Sequence, residues 1–92
     1  MRGTAAVLGA TAARTALARL DGFDEIVVLE PSVQELERLI ADLADPRLDY
    51  LLGALPVLPL PDASIDLLVG ADPADAEVAR VLRAGGRVEP VV

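Results

Sequence analysis

The sequence holds no cysteine and no histidine. That removes disulfides, thiolate chemistry and the usual zinc sites, and leaves a cytoplasmic setting as the default expectation. Lysine is absent too: all eight basic residues are arginine, against fifteen Asp and Glu, for a net charge of −7. A nucleic-acid partner needs clustered cations to neutralise phosphate, so this balance argues against one and is compatible with a small-molecule or protein partner. Aromatic residues are nearly missing, with Phe23 and Tyr50 the only two. The core must therefore be built from Val, Leu, Ile and Ala. No apolar run approaches the ~18 residues of a membrane span. Met1-Arg2-Gly3 leads straight into a strand-like run, without a signal-peptide pattern.

What is present fits one α/β domain over residues 1–92. Thr4 to Leu8 reads as a buried strand, and Thr11 to Leu20 as a helix whose Ala12, Ala13 and Ala16 permit close approach to a sheet. Asp21-Gly22 ends that helix. Ile26-Val-Val-Leu-Glu30 is a second strand, uninterrupted in hydrophobicity until its last residue, as expected of a central parallel strand covered on both faces. Pro31-Ser32 opens a helix over 32–44. Ser32 and Glu35 fit a reciprocal capping box, and Val33, Leu36, Leu39, Ile40 and Leu43 form its apolar stripe.

Asp45-Pro46 breaks the pattern before a third strand, Leu48 to Leu52. A loop from Gly53 to Pro61 follows, where Pro56, Pro59 and Pro61 exclude a regular helix. A fourth strand covers Ile65 to Val69. Asp72-Pro73 reads as an N-cap followed by proline at the first helical position, opening a helix over 73–84 with Val78, Val81 and Leu82 on one face. Gly85-Gly86 stops it, and Arg87 to Val92 is a fifth strand, with Pro90 at an edge or a strand end. Strand–helix alternation of this kind predicts a parallel α/β sheet.

Three segments carry a resemblance. Leu58-Pro-Leu-Pro-Asp-Ala-Ser-Ile-Asp-Leu-Leu-Val69 matches a "LPFPDASFDLVV" pattern almost position for position. Glu77-Val-Ala-Arg-Val-Leu-Arg-Ala-Gly-Gly-Arg-Val88 is similar to "EIARVLRPGGRLV", and Ile26-Val-Val-Leu-Glu-Pro-Ser32 to a second strand ending in an acid. With order and spacing agreeing over residues 5–92, the chain resembles the class I S-adenosylmethionine-dependent methyltransferases. The resemblance implies a Rossmann-like three-layer α/β/α fold with a five-stranded parallel sheet in the order 3-2-1-4-5. It also implies a truncated domain without the helix that usually precedes the first strand and without the C-terminal β-hairpin.

The same resemblance makes Gly9 a turn glycine against the cofactor, Glu30 the acid that holds its ribose, and the backbone at Ala54 and Leu55 its adenine contact. The departures fall on this site. The family's "ELGAGTG" aligns with Val7-Leu-Gly-Ala-Thr-Ala-Ala13, so Thr11 and Ala13 stand where glycines are usual, at an expected cost on the order of 1 kcal/mol each in strain or lost contact. The "GDA" segment aligns with Gly53-Ala54-Leu55 and lacks its acid. Each retained residue also has a structural reading: Gly9 as an ordinary tight turn, Glu30 as a strand-end carboxylate beside a helix start.

Two other motifs compete. Val-Leu-Gly-Ala-Thr with Glu30, 21 residues after Gly9, is similar to the opening of dinucleotide-binding folds. Pro56-Val-Leu-Pro59 is formally a PxxP ligand, and better placed as the loop before the fourth strand.

With helices 11–20 and 32–44 on one face and only helix 73–84 on the other, apolar sheet around the first three strands is expected to lie bare. A homodimer or a protein partner would cover that face and the free edge. The leading expectation is a non-catalytic oligomerising or partner-binding module. The alternative is a minimal methyltransferase holding S-adenosylmethionine at Gly9, Glu30, Ala54 and Leu55, with a partner chain completing the substrate site. No catalytic residue and no metal are expected. Asp72 lies nearest the substrate side and serves equally well as a helix cap.

Overall fold

Apolar strands alternating with short helices wind into one sheet in the computed structural model, which describes residues 3–20, 22–43, 45–55, 57–71 and 74–89. The elements are β1 (Thr4–Leu8), α1 (Ala10–Ala16) continued by a 3-10 turn (Leu17–Arg19), β2 (Glu25–Glu30), α2 (Val33–Leu43), β3 (Leu48–Leu52), β4 (Ile65–Val69), α3 (Ala76–Val81) and β5 (Leu82–Glu89). The five strands are parallel throughout, in the order β3-β2-β1-β4-β5. That is the expected Rossmann-like order, with β1 central and buried on both sides.

The first face of the sheet presents Ala5 and Val7 of β1 and Ile26 and Val28 of β2 to Ala12, Ala13 and Ala16 of α1 and Leu39 of α2. Alanine lets α1 lie close to the strands, as its composition predicts. Val33 and Ile40 of the expected α2 stripe instead face solvent, 54% and 44% exposed. The helix needs only Leu36 and Leu39 buried, with Leu43 packed at the margin, to seat on β2 and β3. The capping box is half formed. Ser32 Oγ accepts from the Glu35 N–H at 3.3 Å, but the Ser32 N–H donates to Glu30, while Glu35 turns outward to Arg38.

The second face corrects the expectation of a bare sheet. Ala6, Val27 and Leu29 are buried there against Leu58, with Leu55 and Leu60 packed alongside, because the proline-rich loop folds back over β1 and β2. Arg80 of α3 fixes that loop. Its guanidinium donates to the carbonyls of Leu58 and Leu60 and to the carboxylates of Asp62 and Glu77. Glu77 in turn accepts the Leu58 N–H at 2.7 Å. Its carboxyl is held down at about 2, first by Arg80 and then by the Leu58 amide. What remains exposed there is smaller: Leu51 of β3 and, in the loop, Val57 at 72%.

The last helix is shorter than the sequence suggests. The expected cap and first helical residue, Asp72-Pro73, lie outside the described residues. In the structure Asp75 caps α3, its carboxylate accepting the Glu77 and Val78 N–H groups. The helix ends at Val81 rather than at the glycine pair, since the carbonyls of Arg80 and Val81 accept from the N–H groups of Ala63 and Ser64, just before β4. Strand β5 then starts at Leu82, paired with Ile65, and resumes with Arg87 against Leu67. Four residues of β5, Arg83 to Gly86, thus stand opposite the single residue Asp66 of β4, and Gly85 sits in this bulge with φ at 84°. A Cβ on Gly86 would stand 2.9 Å from the Arg83 carbonyl oxygen, so no larger residue closes the bulge without a shift. Pro90 lies outside the described residues.

Candidate functional site

Ligands of open parallel sheets sit at the carboxyl ends of the strands, where the strand order changes direction. Here that point lies between β1 and β4, since the chain runs outward from β1 through β2 to β3 and then crosses back to β4. Three strands end there in glycine: Gly9 follows β1, Gly53 follows β3 and Gly70 follows β4. Gly9 and Gly70 both adopt φ of 98°, a conformation side-chain-bearing residues rarely take. Nothing lies within 4 Å of the position a Cβ on Gly9 would occupy, so the space above the turn is open. Gly53 is glycine for a different reason: a Cβ there would come within 2.8 Å of the Pro59 ring.

These glycines border a cleft of about 300 Å³ lined by Leu8, Gly9, Leu29, Pro31, Gly53, Ala54, Leu55 and Gly70. The volume is at the lower end of the ~300–1,000 Å³ usual for small-molecule sites. Of the residues singled out in the sequence, Gly9, Ala54 and Leu55 meet on this wall. Glu30 lies at the end of β2, between the lining residues Leu29 and Pro31, and is only 8% exposed. Its Oε1 accepts the Ala10 N–H at 2.8 Å and its Oε2 accepts the Ser32 N–H at 2.9 Å. One carboxylate therefore joins the turn after β1 to the turn after β2. Two bonds leave an ionised carboxylate with further acceptor capacity, which has about four lone-pair positions in all.

Thr11 and Ala13 do not carry the strain expected of them. Helix α1 begins at Ala10, so both are helical residues, and among the described residues only Ala63 combines a side chain with positive φ. Leu8, Leu29, Pro31 and Gly70 are lining residues that sequence reasoning does not single out, and Gly53, which it aligns with the family's adenine segment, lines the cleft with them. The signal for the glycines was available, since each directly follows an apolar strand. Asp72 lies outside the described residues.

A larger groove of about 540 Å³ opens at the other end of the sheet, between Phe23, Asp66, Leu67, Arg83 and Arg87. None of the singled-out residues lines it. Asp66 is occupied there by the Thr4 N–H and the Arg83 guanidinium. Among the described residues no group of three or more Asp and Glu could hold a metal ion, and no helix is long and apolar enough to cross a membrane.

No protein-family model matches the sequence, and no curated protein matches it significantly. Solved structures do. A protein of Methanococcus maripaludis, provisionally assigned as an S-adenosylmethionine-dependent methyltransferase, is 29% identical over 96% of this chain and superposes with a TM-score of 0.73. A provisionally assigned methyltransferase of Haloferax volcanii, solved in complex with the methyltransferase activator Trm112, is 28% identical over 91% of this chain, with a TM-score of 0.73. The geranyl diphosphate C-methyltransferase of Streptomyces coelicolor, solved with Mg2+, geranyl diphosphate and S-adenosylhomocysteine, shares the fold at 16% identity over 94% of this chain and a TM-score of 0.71. The chain spans 47%, 42% and 36% of these three proteins respectively. Sheet order, the position of the cleft and these superpositions agree: the chain carries the Rossmann-like fold of the class I S-adenosylmethionine-dependent methyltransferases.

Proposed function

We propose that this domain holds an S-adenosylmethionine-type cofactor in the cleft beside Gly9 and does not complete methyl transfer by itself, the acceptor site being supplied by further polypeptide. The observation that carries this reading is the convergence of Gly9, Ala54, Leu55 and Gly70 on one cleft, with open space where a Gly9 side chain would stand. The residues fit the group. Gly9 admits close approach of backbone to ligand, Glu30 keeps acceptor capacity for ribose hydroxyls, and Pro31 and Leu55 offer apolar surface to a base. Bound there, the cofactor would supply an electrophilic methyl group on sulfonium. Positioning is the main requirement of such a transfer, and the placing of Gly9, Glu30, Ala54 and Leu55 supports it for the cofactor. The further polypeptide is a second copy or a protein partner, for which exposed Leu51, Leu52 and Val57 beside the cleft loop offer apolar contact.

Calorimetric titration with S-adenosylmethionine and S-adenosylhomocysteine tests this. Micromolar binding that is lost in Ala54→Phe, with thermal unfolding of that variant unchanged, is the expected result. Absence of binding to both ligands, with any natural partner present, overturns it.

A second reading has its own observation. Both Glu30 oxygens are already engaged by main-chain amides, as expected if the carboxylate only ties two turns together. On that reading the domain is a non-catalytic partner-binding module. Light scattering would then show a dimer or a stable complex while calorimetry shows no ligand.

A further inference from the structure

Among the described residues five large hydrophobic side chains are exposed, and four of them, Val33, Ile40, Leu51 and Leu52, belong to one border of the molecule. Strand β3 ends the sheet there, with β2 as its one neighbour. Its ladder fixes which main-chain groups stay free. The Ile26 N–H donates to the Arg47 carbonyl at 3.1 Å, and the Gly53 N–H to the Glu30 carbonyl at 3.3 Å. Residues of a strand alternate in the side they bond to, so Asp49 and Leu51, between those two positions, serve β2. Tyr50 and Leu52 direct N–H and C=O to the open border, whereas the Leu48 N–H is taken by the Asp45 carbonyl at 3.1 Å. Helix α2 lies against β2 and β3. Its Asp42 pairs with Arg14 of α1 at 2.7 Å, which marks the inner flank. Val33 and Ile40 stand about 160–180° around the helix from Asp42, and so on the flank above the free edge of β3.

From this border we infer that two copies of the chain form a two-fold dimer, β3 of one pairing antiparallel with β3 of the other to join the two five-stranded sheets. The second copy is thereby the further polypeptide proposed above, and the dimer holds whether or not the cleft takes a cofactor. The occupant follows from self-complementarity. With the axis at Leu51, the N–H and C=O of Tyr50 meet the C=O and N–H of Leu52 in the other copy, so every free group of both residues is paired. Leu51 then faces Leu51, an apolar cross-strand pair, and Asp49 faces Gly53. An axis at Asp49 would set two carboxylates opposite each other. An axis at Tyr50 would leave the Leu52 carbonyl opposite the spent Leu48 N–H. The two-fold axis runs normal to the sheet and keeps each face on its own side. Helix α2, over the gap between β2 and β3, then stands two strand spacings, or ~9.6 Å, from its copy. That is within the ~8–10 Å at which helices pack, and it buries Val33 and Ile40 of both. A border one strand long is small beside the ~800 Å² per partner of stable complexes, so the dimer is a reversible one.

Sedimentation of the full chain over about a hundredfold range of concentration should show a monomer–dimer equilibrium. Leu52→Pro removes a border N–H that makes no bond to β2, and Ile40→Glu places a charge on the α2 flank. Each should weaken association at least ~tenfold, with the circular dichroism spectrum unchanged. The sequence has no cysteine, so Leu51→Cys gives each copy a single thiol. Directly opposed residues of this kind have Cα atoms ~4.5 Å apart, within disulfide reach. Mild oxidation should therefore link Leu51→Cys as a dimer, and much faster than Ala84→Cys on the β5 border. A monomer at every concentration overturns the inference, whatever other protein covers the border, and leaves the cofactor reading to its own titration. A dimer that survives both Leu52→Pro and Ile40→Glu overturns it as well. So does a dimer in which Leu51→Cys links no faster than Ala84→Cys.

Discussion

The two faces of the sheet are covered by different means. On the first, regular helices press alanine against the strands, and burial of Ala12, Ala13, Ala16 and Leu39 follows from helical periodicity. On the second, much of the cover is a proline-rich loop whose backbone cannot hydrogen-bond to itself as a helix would. It is held instead by a charged clamp, Arg80 and Glu77, that takes up the carbonyls of Leu58 and Leu60 and the N–H of Leu58. One face thus depends on packing volume, the other on a few directed polar contacts. Different perturbations should therefore separate them.

The largest expected effect is on the packed face. Leu39 is fully buried, so Leu39→Ala should cost about 2–5 kcal/mol by removing transfer energy and leaving a cavity. Urea denaturation should report it as a lower midpoint with unchanged slope, since no region is singled out.

The clamped face should respond to acid. The Glu77 carboxyl is depressed to about 2 from its ordinary 4.5, so the stability it contributes is fully present above about pH 4.5 and is lost as pH falls towards 2. Hydrogen exchange followed over that range should show the Leu58 amide losing protection before the amides of α1. Glu77→Gln should flatten that pH dependence. If loop and helix amides lose protection together, the two faces are not independent.

The smallest effect sharpens the geometry of the loop. Ala63 holds φ at 51° in the turn before β4, where its N–H reaches the Arg80 carbonyl. Ala63→Gly relieves a left-handed strain of roughly 1–2 kcal/mol and loses part of that gain to greater freedom of the unfolded chain. A net gain below about 1 kcal/mol, read as a small rise in melting temperature, is expected.

The same contrast explains what could be read from the sequence. The boundaries of β1, β3 and β4 agree with their apolar runs, and α2 starts one residue after its expected first position, its expected last residue, Ala44, lying outside the described residues. These elements are set by local pattern. The end of α3 was misplaced because Gly85-Gly86 looks like a helix stop, whereas the stop comes from tertiary bonds at Ala63 and Ser64 that no local pattern displays. The cover over the second face escaped for a similar reason. Counting helices undervalued a loop whose leucines became structural only through Arg80. At the site, chemistry-bearing residues such as Glu30 stood out, while Leu8, Leu29 and Gly70 did not, because lining a cleft depends on where strands end relative to one another.

The bulge in β5 reaches further than its local geometry. A strand with one side unpaired is a template on which another chain can add itself, rung by rung, and a fibre needs a straight template. By letting Arg83 to Gly86 loop out between two paired positions, β5 interrupts its own row of regularly spaced amides and carbonyls. The interruption also places the exposed arginines Arg83 and Arg87 along the same border. In a chain so rich in aliphatic residues, that kink makes this border a poorer template than the unbroken edge of β3.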